Sequence, residues 1–323
     1  MIFMIDRLTA GMLLAVTCGI AAAQGVFPTK PVRLVLPYPP GGGTDVIARP
    51  LAAKLSENLG QQFIVENRGG AGGNIGMESV ARAPADGYTI VMALTAQLAV
   101  NPSLYPKLPF DPIRDFAPIT QLGSAPYVML VHPTLPSRTV KEFIAIAKSR
   151  PNELTFASAG NGSGAHLAGE LLKSMTGIRL THVPYKGAGP SLPDLIAGQV
   201  QSSFITYTSA GPQIRAGRVR AIGVTTLKRS PALPEVPAIS ETVAGYDSGV
   251  WYAVLAPAGT PRDIVMKLNA EINKALNSPD VRPRLMSEAM EPSGTTPEAL
   301  GDYMKAEIAK WARVVKESGA TVD

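Results

Sequence analysis

The sequence predicts an α/β protein of two domains joined by two chain crossings. Three observations carry this. At 323 residues the chain is long enough that two cores are a better expectation than one. Apolar strand-like runs alternate with amphipathic helical stretches, the pattern of a parallel sheet covered by helices on both faces. This alternation occurs twice, and the first series shows only three strands, so it needs C-terminal strands to complete its sheet.

In the first series, VRLVLPY (32–38) reads as a buried strand. Thr44–Leu59 reads as a helix with Ile47, Leu51, Leu55 and Leu59 on one face at i+4 spacing, with Pro50 set to kink it or delay its start. QFIVEN (62–67) is a second strand, RGGAGGNIG leads into a helix reaching about Ala83, and PADGYTIVMAL (84–94) is a turn and a third strand. A proline-rich segment (102–119) then crosses over.

PYVMLVHP (126–133) opens the second series. A helix over Thr139–Lys148 follows, then strand LTFASAG, helix Ser163–Met175, strand RLTHVPY (179–185), helix Ser191–Ala197 and strand VQSSFITY (200–207). RAIGVTT (220–226) and GVWYAVLAP (249–257) are strand-like, and helices over Arg262–Asn277 and Pro297–Lys316 finish the chain. The expected division is domain one at 24–123 plus 223–323 and domain two at 124–222, with crossings near Gly123 and Gly223.

The first 23 residues read as a cleaved secretory signal peptide. Leu8–Ile20 is a 13-residue mostly apolar stretch, followed by Ala21-Ala22-Ala23 as an A-x-A cleavage site. A membrane span would need about 20 apolar residues, and a lipoprotein would want a smaller residue than Thr17 before Cys18. Export removes Cys18, the sole cysteine, and with it disulfides, thiol catalysis and thiolate metal sites. The periplasm is the expected compartment.

Hydrophobic residues make up 46% and charged residues 17%, as in an ordinary folded protein. The net charge of +5 is spread along the chain with no basic run, which speaks against nucleic-acid binding. The three histidines, His132, His166 and His182, share no metal-ligand spacing, so no metal is expected. His132 and His182 read as structural, whereas His166 follows a glycine loop and could face a ligand.

Two glycine-rich stretches stand between a strand end and a helix start. The first runs Tyr38-Pro39-Pro40-Gly41-Gly42-Gly43-Thr44-Asp45, and the second Ser158-Ala159-Gly160-Asn161-Gly162-Ser163-Gly164-Ala165-His166. Without a Cβ, backbone N–H groups can converge on a ligand, and a helix N-terminus adds free N–H groups and partial positive charge. Two such loops in two facing domains imply a cleft that holds an anion. Thr44 and Ser163 offer hydroxyls there. Asp45, the one acid in the first loop, would cap its helix or orient a water. Asn161-Gly162-Ser163-Gly164-Ala165 is not the G-x-S-x-G of a hydrolase elbow. G-x-G-x-x-A does occur at Gly160, but no acid follows at the next strand end, so a dinucleotide site is not supported. No P-loop is present, and no cofactor is expected.

The motifs PYPPGGGTDVIAR, VENRGGAGGNIG, ADGYTI, ASAGNGSGAHLAGE, THVPYKG, DLIAGQV, IRAGRVRAIGVTT, KRSPALPEVPAISE and WYAVLAPAGTP follow in this order. In them the chain, from about Pro28 onward, resembles the periplasmic substrate-binding proteins of tripartite tricarboxylate transporters, the Bug receptors. The resemblance implies a periplasmic-binding-protein (Venus flytrap) fold and a small carboxylate, or a related polar molecule, in the cleft. It implies that the loops Tyr38–Asp45 and Ser158–His166 hold the ligand, completed by Thr95, Gln97, Tyr185, Thr206 and Tyr207. It further implies a membrane permease as partner; a monomer is expected. Two positions depart from the family pattern. Ile205 stands where an acid is common, which removes a partner for a ligand amine, and Pro50 replaces a helix former. A secreted enzyme acting on a carboxylated substrate and a ligand sensor for a signalling partner remain the alternative readings.

Overall fold

The computed structural model describes residues 27–40, 43–185 and 188–322. The expected signal peptide, Cys18 and Gly42 lie outside the described residues. In chain order the elements are β1 (Val32–Leu36), α1 (Gly43–Leu59), β2 (Phe63–Asn67), α2 (Asn74–Ala81), β3 (Thr89–Leu94), a wide π-type turn (Ala96–Val100), α3 (Asn101–Leu104) and β4 (Phe116–Ala125). Then come β5 (Tyr127–Val131), α4 (Val140–Ser149), β6 (Thr155–Ser158), α5 (Gly164–Thr176), β7 (Thr181–Pro184), α6 (Ala188–Ile196), β8 (Ser202–Thr206), α7 (Tyr207–Arg215) and β9 (Arg220–Val224). The chain closes with β10 (Val250–Pro257), α8 (Arg262–Leu276), α9 (Arg282–Ser287), β11 (Glu291–Pro292) and α10 (Pro297–Ser318).

These strands form two mixed sheets, ordered β11-β4-β10-β3-β1-β2 and β7-β6-β8-β5-β9. In the first, β1 lies parallel to β2 and β3, while β10 runs antiparallel between β3 and β4. The C-terminal strand β10 thus completes the three-strand series, as the sequence requires. Its central strands are buried on both faces. Leu34, Leu36, Ile90, Met92 and Val254 pack toward Ile47, Leu51 and Leu55 of α1 and Leu268 and Ile272 of α8. The intervening Val35, Val91, Ala93 and Trp251 pack on the opposite side, in the core that takes in Met304 and Trp311 of α10. That alternation of two apolar faces is why the strands read as nearly continuous apolar runs.

Strand membership places the first crossing at Pro126, between β4 and β5. Residue 223, where the sequence reading returns the chain, lies inside β9 of the second sheet, and the next strand of the first sheet begins at Val250. Between them, Ala238 bridges to Val224, and Tyr246 donates its hydroxyl to the Ala168 carbonyl at 2.8 Å. The connecting segment therefore packs with the second sheet and rejoins the first only after Ser248.

α1 runs unbroken through Pro50. The ring removes the amide that would donate to the Val46 carbonyl, and the buried contacts of Ile47, Leu51 and Leu55 hold the helix across that gap. The π-type turn, α3, β4, α7, α9 and β11 lie outside the sequence reading. β4 carries register shifts against β10 beside Pro118 and Leu122, and α7 contains Gly211 and Pro212.

Candidate functional site

A cavity of about 750 Å³ lies between the two sheets, large enough for a small organic molecule. Three helices begin at its wall. Thr44 in the first turn of α1, Ser163 at the N-cap of α5, and Thr206, Tyr207 and Thr208 around the start of α7 all line it. Each N-terminus contributes N–H groups without intrahelical partners and a partial positive charge. Two of these were expected; the third, α7, was concealed by its glycine and proline. Thr95, at the head of the π-type turn, lines the cavity too, and its Oγ1 accepts from the Trp251 amide at 2.9 Å.

Of the site residues expected from sequence, Tyr38, Pro39, Thr44, Thr95, Ala159, Asn161, Gly162, Ser163, Thr206 and Tyr207 line this cavity. Asp45, Gln97, Ser158, Gly160, His166 and Tyr185 are not among its lining residues. Gln97 is fully buried and donates to the Tyr38 hydroxyl at 2.7 Å and to the Gly72 carbonyl at 2.6 Å, while its Oε1 accepts from the Leu94 amide. It therefore fixes the aim of Tyr38, and it ties the RGGAGGNIG stretch, through Gly72, to the wall. Asp45, also buried, pairs with Arg49 at 2.5 Å and accepts from Asn67 Nδ2 at 3.2 Å. Asn67 donates in turn to the Tyr38 carbonyl. The acid anchors the loop to β2, away from the space an anion would fill. Gly43 opens α1.

In the second loop, His166 is buried, and its Nδ1 accepts the Gly162 amide at 3.1 Å. It shapes the loop from below, with Nε2 turned toward Glu170 at 3.5 Å. Burial would raise the Glu170 pKa, but bonds from His166 and Lys173 bring it below the ordinary value. Gly160 donates its amide to Ser158 Oγ. Ser158 Oγ also meets His182 Nε2 at 2.6 Å, and the His182 ring stacks on His166 with centroids 3.9 Å apart. This is a serine–histidine pair that the sequence did not reveal. Ser158 is fully buried, however, and burial together with the neighbouring His166 lowers the His182 pKa to about 4. A hidden serine beside a weak base is poorly suited to attack a substrate. Tyr185 spends its hydroxyl on Asp194 at 2.6 Å and stands outside the lining.

The sequence reading missed Tyr127 and Tyr252, which line the cavity from β5 and β10. Among the described residues neither hydroxyl has a hydrogen-bond partner. Burial raises both pKa values well above the ordinary tyrosine value, and it pushes Tyr38 up to about 12 despite the Gln97 amide. All three phenols therefore stay protonated at neutral pH and can donate to an anion. The available signal was the run of aromatic residues at strand starts, PYVMLV and VWYAVL, which reads equally well as core.

Residues 47–320 match the profile of the tripartite tricarboxylate transporter family receptor. The structure of the periplasmic binding protein BugD superposes with a TM-score of 0.78 at 35% identity, covering 91% of this chain and 99% of that one. R. palustris Rpa4515 with adipate gives 0.81 at 40%, over 91% and 99%. MatC from Rhodopseudomonas palustris with bound malate gives 0.76 at 34%, over 90% and 100%. The two-sheet fold is that of periplasmic binding proteins, and the chain belongs to the tripartite tricarboxylate transporter receptor family.

Proposed function

We propose that this chain is an exported receptor that closes its two α/β units around a small carboxylate and passes it to a membrane permease. The supporting observation is the meeting of three helix N-termini and the unpartnered Tyr127 and Tyr252 hydroxyls in one cavity without a basic side chain among its described lining residues. A micromolar site requires about −8 kcal/mol. Charge-assisted hydrogen bonds contribute about 1.5–3 kcal/mol each, and a helix terminus about 0.3–1, rising to ~2 when partly buried. Three to five such contacts suffice without a salt bridge. Adipate in Rpa4515 and malate in MatC make carboxylates the first ligands to try.

A close contact between the units supports closure. Gly162 of the second unit packs against Leu104 of the first, with space there for no side chain. The units in this reading are 27–125 with 250–322, and 127–247, joined at Pro126 and at Ser248-Gly249. Ligand stabilises the closed form because only there do both loops reach it. The receptor acts without chemical turnover, works as a monomer and reaches the periplasm by a cleaved N-terminal signal.

A thermal-shift screen of small carboxylates on protein stripped of ligand by unfolding tests this. A compound at 100 times its Kd should add about 2.7 kcal/mol of stability, several degrees in Tm, and be recovered unchanged. No shift with any carboxylate, or conversion of the compound, contradicts the reading.

A further inference from the structure

The cavity has one charged side chain among its described lining residues, and it is an acid. Glu288 follows α9 and reaches the wall beside Tyr252, half-buried. Among the described residues its carboxylate has no hydrogen bond and no ion pair. It differs in this from Asp45 and Glu170, the acids behind the glycine loops, which are both paired. Helix N-termini and the Tyr127 hydroxyl, which suit a carboxylate, therefore share the cavity wall with an acid that has no protein partner among the described residues.

We infer that Glu288 sets ligand specificity, so that this receptor selects a carboxylate whose other end carries a hydrogen-bond donor, an ammonium group above all. The inference rests on the receptor reading and narrows it. A second carboxylate near Glu288 would meet a like charge in a partly water-excluded space, where repulsion is stronger than in bulk water. An ammonium group there would gain a charge-assisted hydrogen bond. The amine partner that Ile205 cannot supply is thus provided from another element, 83 positions further along the chain.

Calorimetric titration with three ligands of equal length tests this: 6-aminohexanoate, adipate and hexanoate, alongside the four-carbon set 4-aminobutanoate, succinate and butanoate. In the wild-type protein the amino acid of at least one set should bind at least tenfold more tightly than its dicarboxylate. Glu288→Gln should shrink that ratio at least tenfold, chiefly by tightening the dicarboxylate and loosening the amino acid, with Tm unchanged. Glu288→Ala should act in the same direction if Gln disturbs the wall. A dicarboxylate preference in the wild type, or a ratio indifferent to both substitutions, overturns the inference while leaving the receptor reading intact. Failure of all six compounds and of every other carboxylate in the screen overturns the receptor reading, and this inference with it.

Discussion

Gly162 stands at φ 71°, and a Cβ added there would sit 2.1 Å from Leu104 Cδ2. Gly162→Ala therefore incurs the left-handed backbone cost of about 1–2 kcal/mol and pushes the two units apart. The expected outcome is a fold that survives with lower stability in a urea titration, and carboxylate affinity reduced at least tenfold. His182 gives a pH-dependent prediction. Its folded pKa, near 4, lies below its unfolded value of 6.5, so the folded state resists protonation that the unfolded chain accepts. Stability is complete above pH 6.5 and falls on acidification toward pH 4. Since the ring is half-exposed, the loss should be a modest ~1–2 kcal/mol. His182→Gln should flatten the stability profile over that window. The glycine loop itself could be found in the sequence because its residues adjoin. The Ser158–His182 contact could not, since the pair is 24 positions apart and meets only through the parallel pairing of β6 and β7.

Pro50 lies in mid-helix, where a proline costs about 3 kcal/mol in an unsupported helix. Because α1 continues through it, Pro50→Ala should restore the bond to the Val46 carbonyl, raise Tm and add about 1–3 kcal/mol of stability in a denaturation curve. A lower Tm would mean that the site is shaped around the ring. α10 is held by one buried acid. Glu307 Oε2 accepts from Trp251 Nε1 of β10 and Trp311 Nε1, both at 3.0 Å, and Lys310 closes on Oε1 at 2.6 Å. Glu307→Gln turns one acceptor into a donor amid three donors, and should lose about 1–3 kcal/mol of stability. Amphipathic helices such as α5 and α10 were readable from period and caps alone, with Ser163 and Thr296 accepting from the N3 amides. β4 and α7 were not. In β4 a proline beside a bulge masks a strand whose partner lies more than a hundred residues away, and in α7 Gly211 and Pro212 mask the helical pattern.

At the scale of the whole molecule, two sheets, a cavity between them and three converging helix starts describe a device that recognises charge without offering any positive side chain from its described lining. The parallel series and the glycine loops are local patterns, so the sequence displayed both sheets' frames and seven of the lining residues, while Thr95, Thr206 and Tyr207 came from the family resemblance alone. The tyrosines of β5 and β10 and Glu288 enter the site through long-range pairing, which no local pattern records. The crossing after β9 comes late for the same reason, because Ala238 and Tyr246 pack on the second unit by contacts made at a distance in the chain. The most direct measurement is a calorimetric titration of ligand-stripped protein with a carboxylate from the screen, comparing the wild type with Tyr127→Phe. The account predicts one saturable site, and one weaker by about ten- to a hundredfold when the unpartnered hydroxyl is gone, since one lost charge-assisted bond costs about 1.5–3 kcal/mol. Equal affinity in the two proteins would place the carboxylate outside this cavity wall and contradict the central claim.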